Sequence, residues 1–512
     1  MSIYSQIKFY CVVLAGYKLL NSAKIEFMAK EKIIGRIKEA EILDKAFRSP
    51  DPEFIAVYGR RRVGKTFLIR EFYEDSICFE LIGVHEASLK VQLNNFAQSL
   101  KNAIGMGILP QAPVTWFEAF TYLEQFLESL NKKISTGKRV VFIDELPWLN
   151  TPKSNFVAAL EHFWNSYGSK QNNLILVVCG SSASWMIQKI VNSKGGLHNR
   201  LTRQIRLLPF TLRETESFLK SMGVLLTKNQ IISLYMAMGG VPFYLKQAEP
   251  GLSSAQIIDK VCFSKDGLLR NEFEKLFSSL FDQSDQHISI IDALRQNRSG
   301  MSRNQILSTA KIPSGGTASQ ILEELEESGF IVPWIPFGKK SNDAIYRITD
   351  EFTLFYFDWI KPLGKRDPGD GYWLSMQNDP RRRAWAGYAF EGICMKHVQQ
   401  FKNALGIGMV ETFHGPWYYS APKGSAGTGA QIDLLIDRKD ATINICEMKF
   451  SEAEFTIDAE YAKKLRQKIE VFKSVTKTRK NIFVTMMTTF GITTNIHSND
   501  IVSNSLTIEC LF

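Results

Sequence analysis

Apolar runs and helix-period stripes alternate along the first two hundred residues. Phe54–Val57 is a continuous apolar run of the kind that forms a buried parallel strand, and Phe67–Tyr73 follows with amphipathic helix spacing. Val140–Asp144 and Leu174–Cys179 are further apolar runs, each ending in small or acidic residues. Strands buried on both faces read as unbroken hydrophobic runs, so this stretch predicts an α/β core built on a parallel sheet. The pattern then becomes helical. Leu212–Met222, Gln230–Met238 and Asn271–Leu280 carry apolar residues at period 3.6 and predict a helical lid.

Three short helical segments follow at His287–Leu294, Ser302–Leu307 and Ser319–Glu327. Behind them come Phe330–Val332, a polar tip at Gly338–Lys340 and Ala344–Ile348. Three helices and a hairpin in that order predict a winged helix. If that unit grips DNA, Ser314, Thr317 and Gln320 face bases and Lys339 and Lys340 face phosphates. Glu323, Glu324, Glu326 and Glu327 oppose a deep seat, because phosphates repel them; a protein-interaction or lid-coupling role is the alternative. The turn-rich Lys361–Gly369 marks a boundary, and a helical run at Ala384–Val398 opens the last domain. The expected divisions are an extension at 1–27, an ATPase core at 28–213, a lid at 214–283 and a winged helix at 284–358. A linker at 359–379 and a C-terminal α/β domain at 380–512 complete the chain.

Between the first strand and helix lies Gly59-Arg60-Arg61-Arg62-Val63-Gly64-Lys65-Thr66, a G-x-x-x-x-G-K-[ST] loop in its expected context. Backbone N–H groups of such a loop and of the helix N-terminus surround an anion. Lys65 adds a point charge for the β- and γ-phosphates, and the Thr66 hydroxyl is placed for Mg²⁺. Phe67, the next residue, completes the segment expected to line the nucleotide. Asp144 and Glu145 end the strand Val140–Asp144 as a Walker B pair. Asp144 serves the Mg²⁺ shell and Glu145 orients the attacking water. Ser181, at the end of the third strand, is placed either to sense the γ-phosphate or to make an ordinary turn. Arg60, Arg61 and Arg62 are loop charges that either meet the nucleotide or stay solvated.

These residues resemble the archaeal-type P-loop ATPases of the AAA+/STAND group, also common in bacteria. Ile34-Gly35-Arg36 near Glu39 matches the family's entry motif beside the base. Asp144-Glu145-Leu146-Pro147, Asn199-Arg200-Leu201 before Leu207-Leu208-Pro209-Phe210, and Gly239-Gly240-Val241-Pro242 match further elements, with the last of these in the lid. The resemblance runs over roughly residues 31–360. It implies ATP as the nucleotide and nucleotide-dependent lid movement, with Gly35, Arg36 and Pro242 near the nucleotide. It also points to Arg200 as an arginine finger or γ-phosphate sensor, a surface arginine being the plain alternative.

In the last domain, Gly429–Ile436 and Thr442–Phe450 read as two strands joined by a turn at Arg438-Lys439-Asp440. Residues two apart in a strand share a face, so Glu447 pairs with Lys449 and Gln431 with Asp433, and a hairpin sets the pairs side by side. Two carboxylates with a carbonyl suit Mg²⁺, and the ammonium can steady developing phosphorane charge. This Asp…Glu-x-Lys pattern resembles the PD-(D/E)XK nuclease fold over roughly residues 380–512. The resemblance implies metal carboxylates at Asp433 and Glu447, a catalytic Lys449, and a further acid at Glu391 on the first helix. A solvated or degenerate site is the alternative. Lys463, Lys464, Arg466 and Lys468 on the next helix either track phosphates or form an exposed face.

The balance of +10 and pI near 9.0 agree with a nucleic-acid partner. Seven scattered cysteines with no C-x-x-C spacing support neither a disulfide framework nor a zinc knuckle. Phe9–Leu20 is too short an apolar run to span a bilayer. Met28, just before the entry motif, is a possible translation start, and a docking or membrane-contacting helix is the other reading of residues 1–27. The expectation is a cytoplasmic ATPase, acting as a homo-oligomer or with a protein partner. Its nucleotide state either gates a Mg²⁺-dependent DNA nuclease domain or controls binding without cleavage.

Overall fold

A computed structural model describes residues 33–105, 111–131, 137–192, 195–197, 199–281, 284–421 and 429–512. The expected extension 1–27 and the Met28 start lie outside these residues. The chain divides into two compact units. The first comprises residues up to Tyr58, Gly64–Gly180 and Trp185–Leu207; the second comprises Gly59–Val63, Ser181–Ser184 and Leu208–Phe512.

The first unit is a parallel sheet with helices. Its elements run α1 (Ile37–Phe47), β1 (Glu53–Tyr58), α2 (Lys65–Tyr73), β2 (Ile77–Ile82), α3 (Leu89–Ile104), α4 (Trp116–Asn131), β3 (Arg139–Asp144), α5 (Phe156–Ser166), β4 (Leu174–Gly180) and β5 (Arg203–Arg206). The strand order is β2-β3-β4-β1-β5, all pairs parallel. Every residue of β1 and β4 is buried, which is why both read as continuous apolar runs. Burying each Val, Ile or Phe of these strands contributes about 1.5–3 kcal/mol. In open sheets of this kind, ligands bind beyond the carboxyl ends of the strands, where the strand order reverses. The ends of β1 and β3 carry the glycine-rich loop and the acidic pair.

The second unit starts with lid helices α6 (Leu212–Ser221), α7 (Lys228–Met238) and α8 (Glu272–Leu280). Thr211 and Glu214 close a reciprocal capping box on α6, which fixes where that helix begins. The winged helix follows as α9 (Ser284–Arg295), β6 (Met301–Ser302), α10 (Arg303–Ala310), α11 (Gly316–Glu327), β7 (Ile331–Trp334) and β8 (Ile345–Ile348), with sheet order β6-β8-β7. Helix α12 (Glu351–Phe355) and the long α13 (Pro380–Lys396) lead into a five-stranded sheet. Its strands are β9 (Thr412–Tyr419), β10 (Ala430–Arg438), β11 (Thr442–Lys449), β12 (Asn481–Thr488) and β13 (Asn504–Thr507), with α14 (Ala459–Thr476) between β11 and β12. Strands β9, β10 and β11 are antiparallel neighbours; β11, β12 and β13 are parallel.

One continuous apolar core runs from Phe210 to Leu511 and joins lid, winged helix and C-terminal sheet. Residues 359–379, expected as a linker, take part in it. Trp373 is buried within 5.0 Å of Trp359 and 5.6 Å of Trp385, measured between ring centroids. Asp259 accepts hydrogen bonds from the Gly371 and Trp373 amides at 2.8 and 2.6 Å. Glycine and proline made this stretch look like a joint, but its tryptophans bury too much apolar area to remain in water.

Candidate functional site

Gly64 takes φ 93°, a left-handed conformation that glycine adopts freely, and caps α2. The turn brings Lys65 and Thr66 to the head of the helix, and Lys65 is buried. The Thr66 hydroxyl donates to Asp144 Oδ2 at 2.5 Å, joining the ends of α2 and β3. Glu145 follows with φ 48°, a conformation that costs a non-glycine residue about 1–2 kcal/mol. Its amide donates to Asp144 Oδ1 at 2.9 Å. The backbone there is closely packed: a Cβ on Gly83 would lie 2.5 Å from the Glu145 carbonyl oxygen, so only glycine fits at the end of β2. Burial pushes the Cys179 thiol up; Asp144 adds to this and Lys65 opposes it, so those groups gather at the carboxyl end of β4. Hard oxygens from Thr66 and Asp144, converging from two elements, fit a Mg²⁺ ion shared with phosphate oxygens.

Other expected nucleotide contacts are distributed as follows. Gly35 and Arg36 form the left-handed entry to α1, where Arg36 is buried and lies 3.9 Å from Glu39. Phe67 and Arg200 are exposed, Ser181 and Val63 are buried, and Pro242 opens a short lid helix. The loop arginines belong to the second unit. Arg60 is buried in an ion pair with Asp350, the cap of α12. Burial works against the charge of Asp350, yet Arg60, with bonds from Thr353 at 2.9 and 2.7 Å, holds its carboxyl below the usual range. Arg62 Nη1 lies 2.5 Å from Glu272 Oε2, and its guanidinium stacks 4.4 Å from the Phe243 ring centroid. Asp350 and Glu272 stand 290 and 210 residues from their partners and carry no local motif.

In the C-terminal sheet, alternation along β11 divides its faces. Ile443 and Ile445 pack with Phe472 of α14, whereas Cys446 and Met448 join the main core. Glu447 falls on the α14 side and is 1% exposed. Continuing the β10–β11 register from Leu434↔Cys446 sets Asp433 opposite Glu447, as the hairpin reading expects. Glu447 Oε2 accepts from the Tyr461 hydroxyl at 3.1 Å and lies 3.8 Å from Lys449 Nζ; Lys468 Nζ donates to Oε1. Gln431 Nε2 donates to Asp433 Oδ1 at 3.3 Å, and Ser299 Oγ to Gln431 Oε1 at 3.4 Å. Burial first, and the charge of Asp433 second, push the Glu391 carboxyl up to about 7; burial and then Glu447 raise Asp433. A cavity of about 430 Å³ lined by Gln431, Asp433, Lys464, Gln467 and Lys468 opens beside the site.

Glu391, Asp433, Glu447 and Lys449 therefore act on one another electrostatically. Among the described residues, however, no three His, Cys, Asp or Glu side chains converge closely enough to hold a metal ion. As built, this site does not fit the Mg²⁺ that its motif implies. Lys464 pairs with Glu460 at 2.7 Å and Arg466 with Asp500, while Lys463 is exposed. On the winged helix, Thr317, Lys339 and Lys340 are exposed; Ser314 accepts from Arg303 at 3.2 Å, and Gln320 donates to Glu324 at 2.8 Å. No helix of the described residues is long and apolar enough to cross a membrane. Tyr461 escaped the sequence reading. Its signal was the spacing to Lys468, seven residues or about two turns away on one helix face.

Residues 34–248 match the family model described as "ATPase domain predominantly from Archaea". The uncharacterized protein MJECL04 of Methanocaldococcus jannaschii is 25% identical over 426 residues, covering 82% of this chain and 88% of that protein. Among solved structures, the Walker-type ATPase paby2304 of Pyrococcus abyssi has a TM-score of 0.45 at 16% identity, covering 63% of this chain and 95% of its own. The ORC2 protein of Aeropyrum pernix in its ADPNP-ADP complexes has a TM-score of 0.41 at 15% identity, covering 71% and 95%. Residues 34–248 are therefore similar to that family of ATPase domains.

Proposed function

We propose that the protein is an ATP-hydrolysing switch. The observation that carries this is the direct bond from the Thr66 hydroxyl to Asp144 beside the buried Lys65. Loop amides and Lys65 bind the phosphate tail and neutralise charge that moves onto the leaving oxygens. Thr66 and Asp144 would hold Mg²⁺, which would supply charge neutralisation for the phosphate tail. Glu145 accepts a hydrogen bond from the attacking water and orients it toward phosphorus. Arg60 and Arg62 tie the loop's middle to Asp350 and Glu272, so loop movement on nucleotide exchange strains carboxylates rooted in the α12 and lid segments. Phosphate release measured with wild type, Lys65→Ala and Glu145→Gln tests the reading; hydrolysis that persists in both variants rejects it.

A second activity is favoured by the meeting of Asp433, Glu447, Lys449 and Glu391 beside an open, lysine-lined cleft. We infer a nuclease-type site for nucleic-acid phosphodiesters, answering to the ATP state. Cleavage of supercoiled and linear DNA with Mg²⁺ or Mn²⁺, with and without ATP, tests it alongside Glu447→Ala. Absence of cutting with ATP hydrolysis intact leaves a regulatory ATPase that binds a DNA or protein partner without cleaving.

A further inference from the structure

The C-terminal site holds its own cations. Three acids face it: Glu391, Asp433 and Glu447. The positive charges acting on Asp433 are those of Lys468, Lys449 and Arg347; Lys449 and Arg347 also act on Glu391. Three acids and three bases meet within the protein. Arg347 comes from the winged-helix strand β8, where its Nε donates to the Ser299 carbonyl at 2.9 Å. Lys468 makes the most direct contact. Its ammonium sits on Glu447 Oε1 while Tyr461 occupies Oε2, and its side chain also lines the cavity.

A divalent cation needs Glu447 oxygens that carry uncompensated charge. Here Oε1 is taken by an ammonium and Oε2 by a phenol, with a second ammonium nearby. We propose that Lys468 is a built-in counter-ion that keeps the C-terminal site closed to metal, and that a divalent cation enters only by displacing it from Glu447. This rests on the nuclease-type reading of the same site. The exchange is favourable in principle because Lys468 is 28% exposed and can swing into water, whereas Glu447 is 1% exposed and cannot leave. Nothing in the Asp…Glu-x-Lys motif includes this lysine; the fold of α14 over β11 brings it there.

The test is Mn²⁺ binding to the full chain without nucleotide, followed by calorimetry and by paramagnetic broadening. It compares wild type, Lys468→Met, Lys468→Gln and the Asp433→Asn/Lys468→Met double variant. The expected result is an Mn²⁺ affinity raised about tenfold or more in both single variants, since a buried carboxylate has lost its partner. That gain disappears in the double variant. In metal-free buffer Lys468→Met melts below wild type, and Mn²⁺ restores its melting temperature. Asp433-dependent binding of equal strength in wild type and both Lys468 variants overturns the counter-ion proposal while sparing the site. No Asp433-dependent Mn²⁺ binding in any variant overturns the site reading, and the proposal falls with it. Lys468→Gln, which keeps a polar neutral group, guards against misfolding of the Met variant.

Discussion

The two acid-and-lysine sites of this protein are built differently at the atoms that matter. At the end of β3, Asp144 is reached by the Thr66 hydroxyl and a backbone amide. On β11, Glu447 is reached by two ammonium groups and a phenol. A hydroxyl can turn its proton aside and coordinate a cation with the same oxygen. An ammonium has no lone pair and must leave before a cation can approach. The first site thus suits the metal-bound phosphate we propose for it, whereas the second is occupied by its own side chains. Similar residue types in similar strand-end positions meet different partners because of what the neighbouring helix presents.

The largest effect expected from breaking this contrast lies in the first site. Glu145→Gln should lower ATP hydrolysis by about 10²–10⁴-fold while ATP binding persists, because only the carboxylate we propose to orient the water is lost. Single-turnover phosphate release beside equilibrium ATP binding measures both. Lys65→Ala should cost about 10²–10³-fold in hydrolysis and weaken binding as well, since its charge meets the bound phosphates and meets the transition state more strongly. ATP binding and hydrolysis both near wild type in Lys65→Ala would make Lys65 no more than a packing residue.

In the second unit, buried charge is structural. Asp350→Ala leaves the Arg60 guanidinium buried without its carboxylate, and should destabilise the unit by about 3–5 kcal/mol in urea unfolding. His397 sharpens the point by pH. Burial lowers its pKa to about 4 from 6.5; the nearby charge of Lys396 adds to this, while the hydrogen bond from Nδ1 to the Ile393 carbonyl at 2.7 Å opposes it. The folded state therefore prefers the neutral ring. The stability it contributes, about 3 kcal/mol, is complete above pH 6.5 and is lost as pH falls from there through about 4. The difference between wild-type and His397→Gln unfolding midpoints from pH 7 to 4 checks the slope, since carboxyls such as Glu391 titrate in the same window in both. Arg62→Ala should have the smallest effect, about 1 kcal/mol. Arg62 is partly exposed, and Glu272 keeps the Tyr244 hydroxyl at 2.9 Å. Burial has also raised the Glu272 carboxyl, which eases its protonation when the arginine is gone.

Much of the fold could be read directly. The runs at Phe54–Val57, Val140–Asp144 and Leu174–Cys179 became β1, β3 and β4, because strands buried on both faces leave unbroken apolar sequence. Strands β2 and β9 carry no such run: Ile77–Ile82 alternates and Thr412–Tyr419 is aromatic and polar, with burial decided by distant partners. The glycine-rich loop was legible since its function depends on consecutive backbone positions, where spacing alone sets the geometry. Glu447 and Lys449 were legible for a related reason, the two-residue period of a strand.

What lay beyond the sequence were the partners of those groups. Arg60 is plainly a loop arginine, but only the folded second unit sets it against Asp350; the chain in between gives no sign of the pairing. Lys468 looked like one of several exposed lysines on an amphipathic helix. Its neighbours Lys464 and Arg466 remain such charges, because the helix turns them toward Glu460 and Asp500. Helical phase and the packing of α14 on β11 direct Lys468 alone to the buried carboxylate. Sequence determined which chemical groups stand near one another along the chain, since bond geometry and backbone period act locally. Tertiary structure decided which charges are compensated, since burial and ion pairing depend on distances in space that no local spacing encodes.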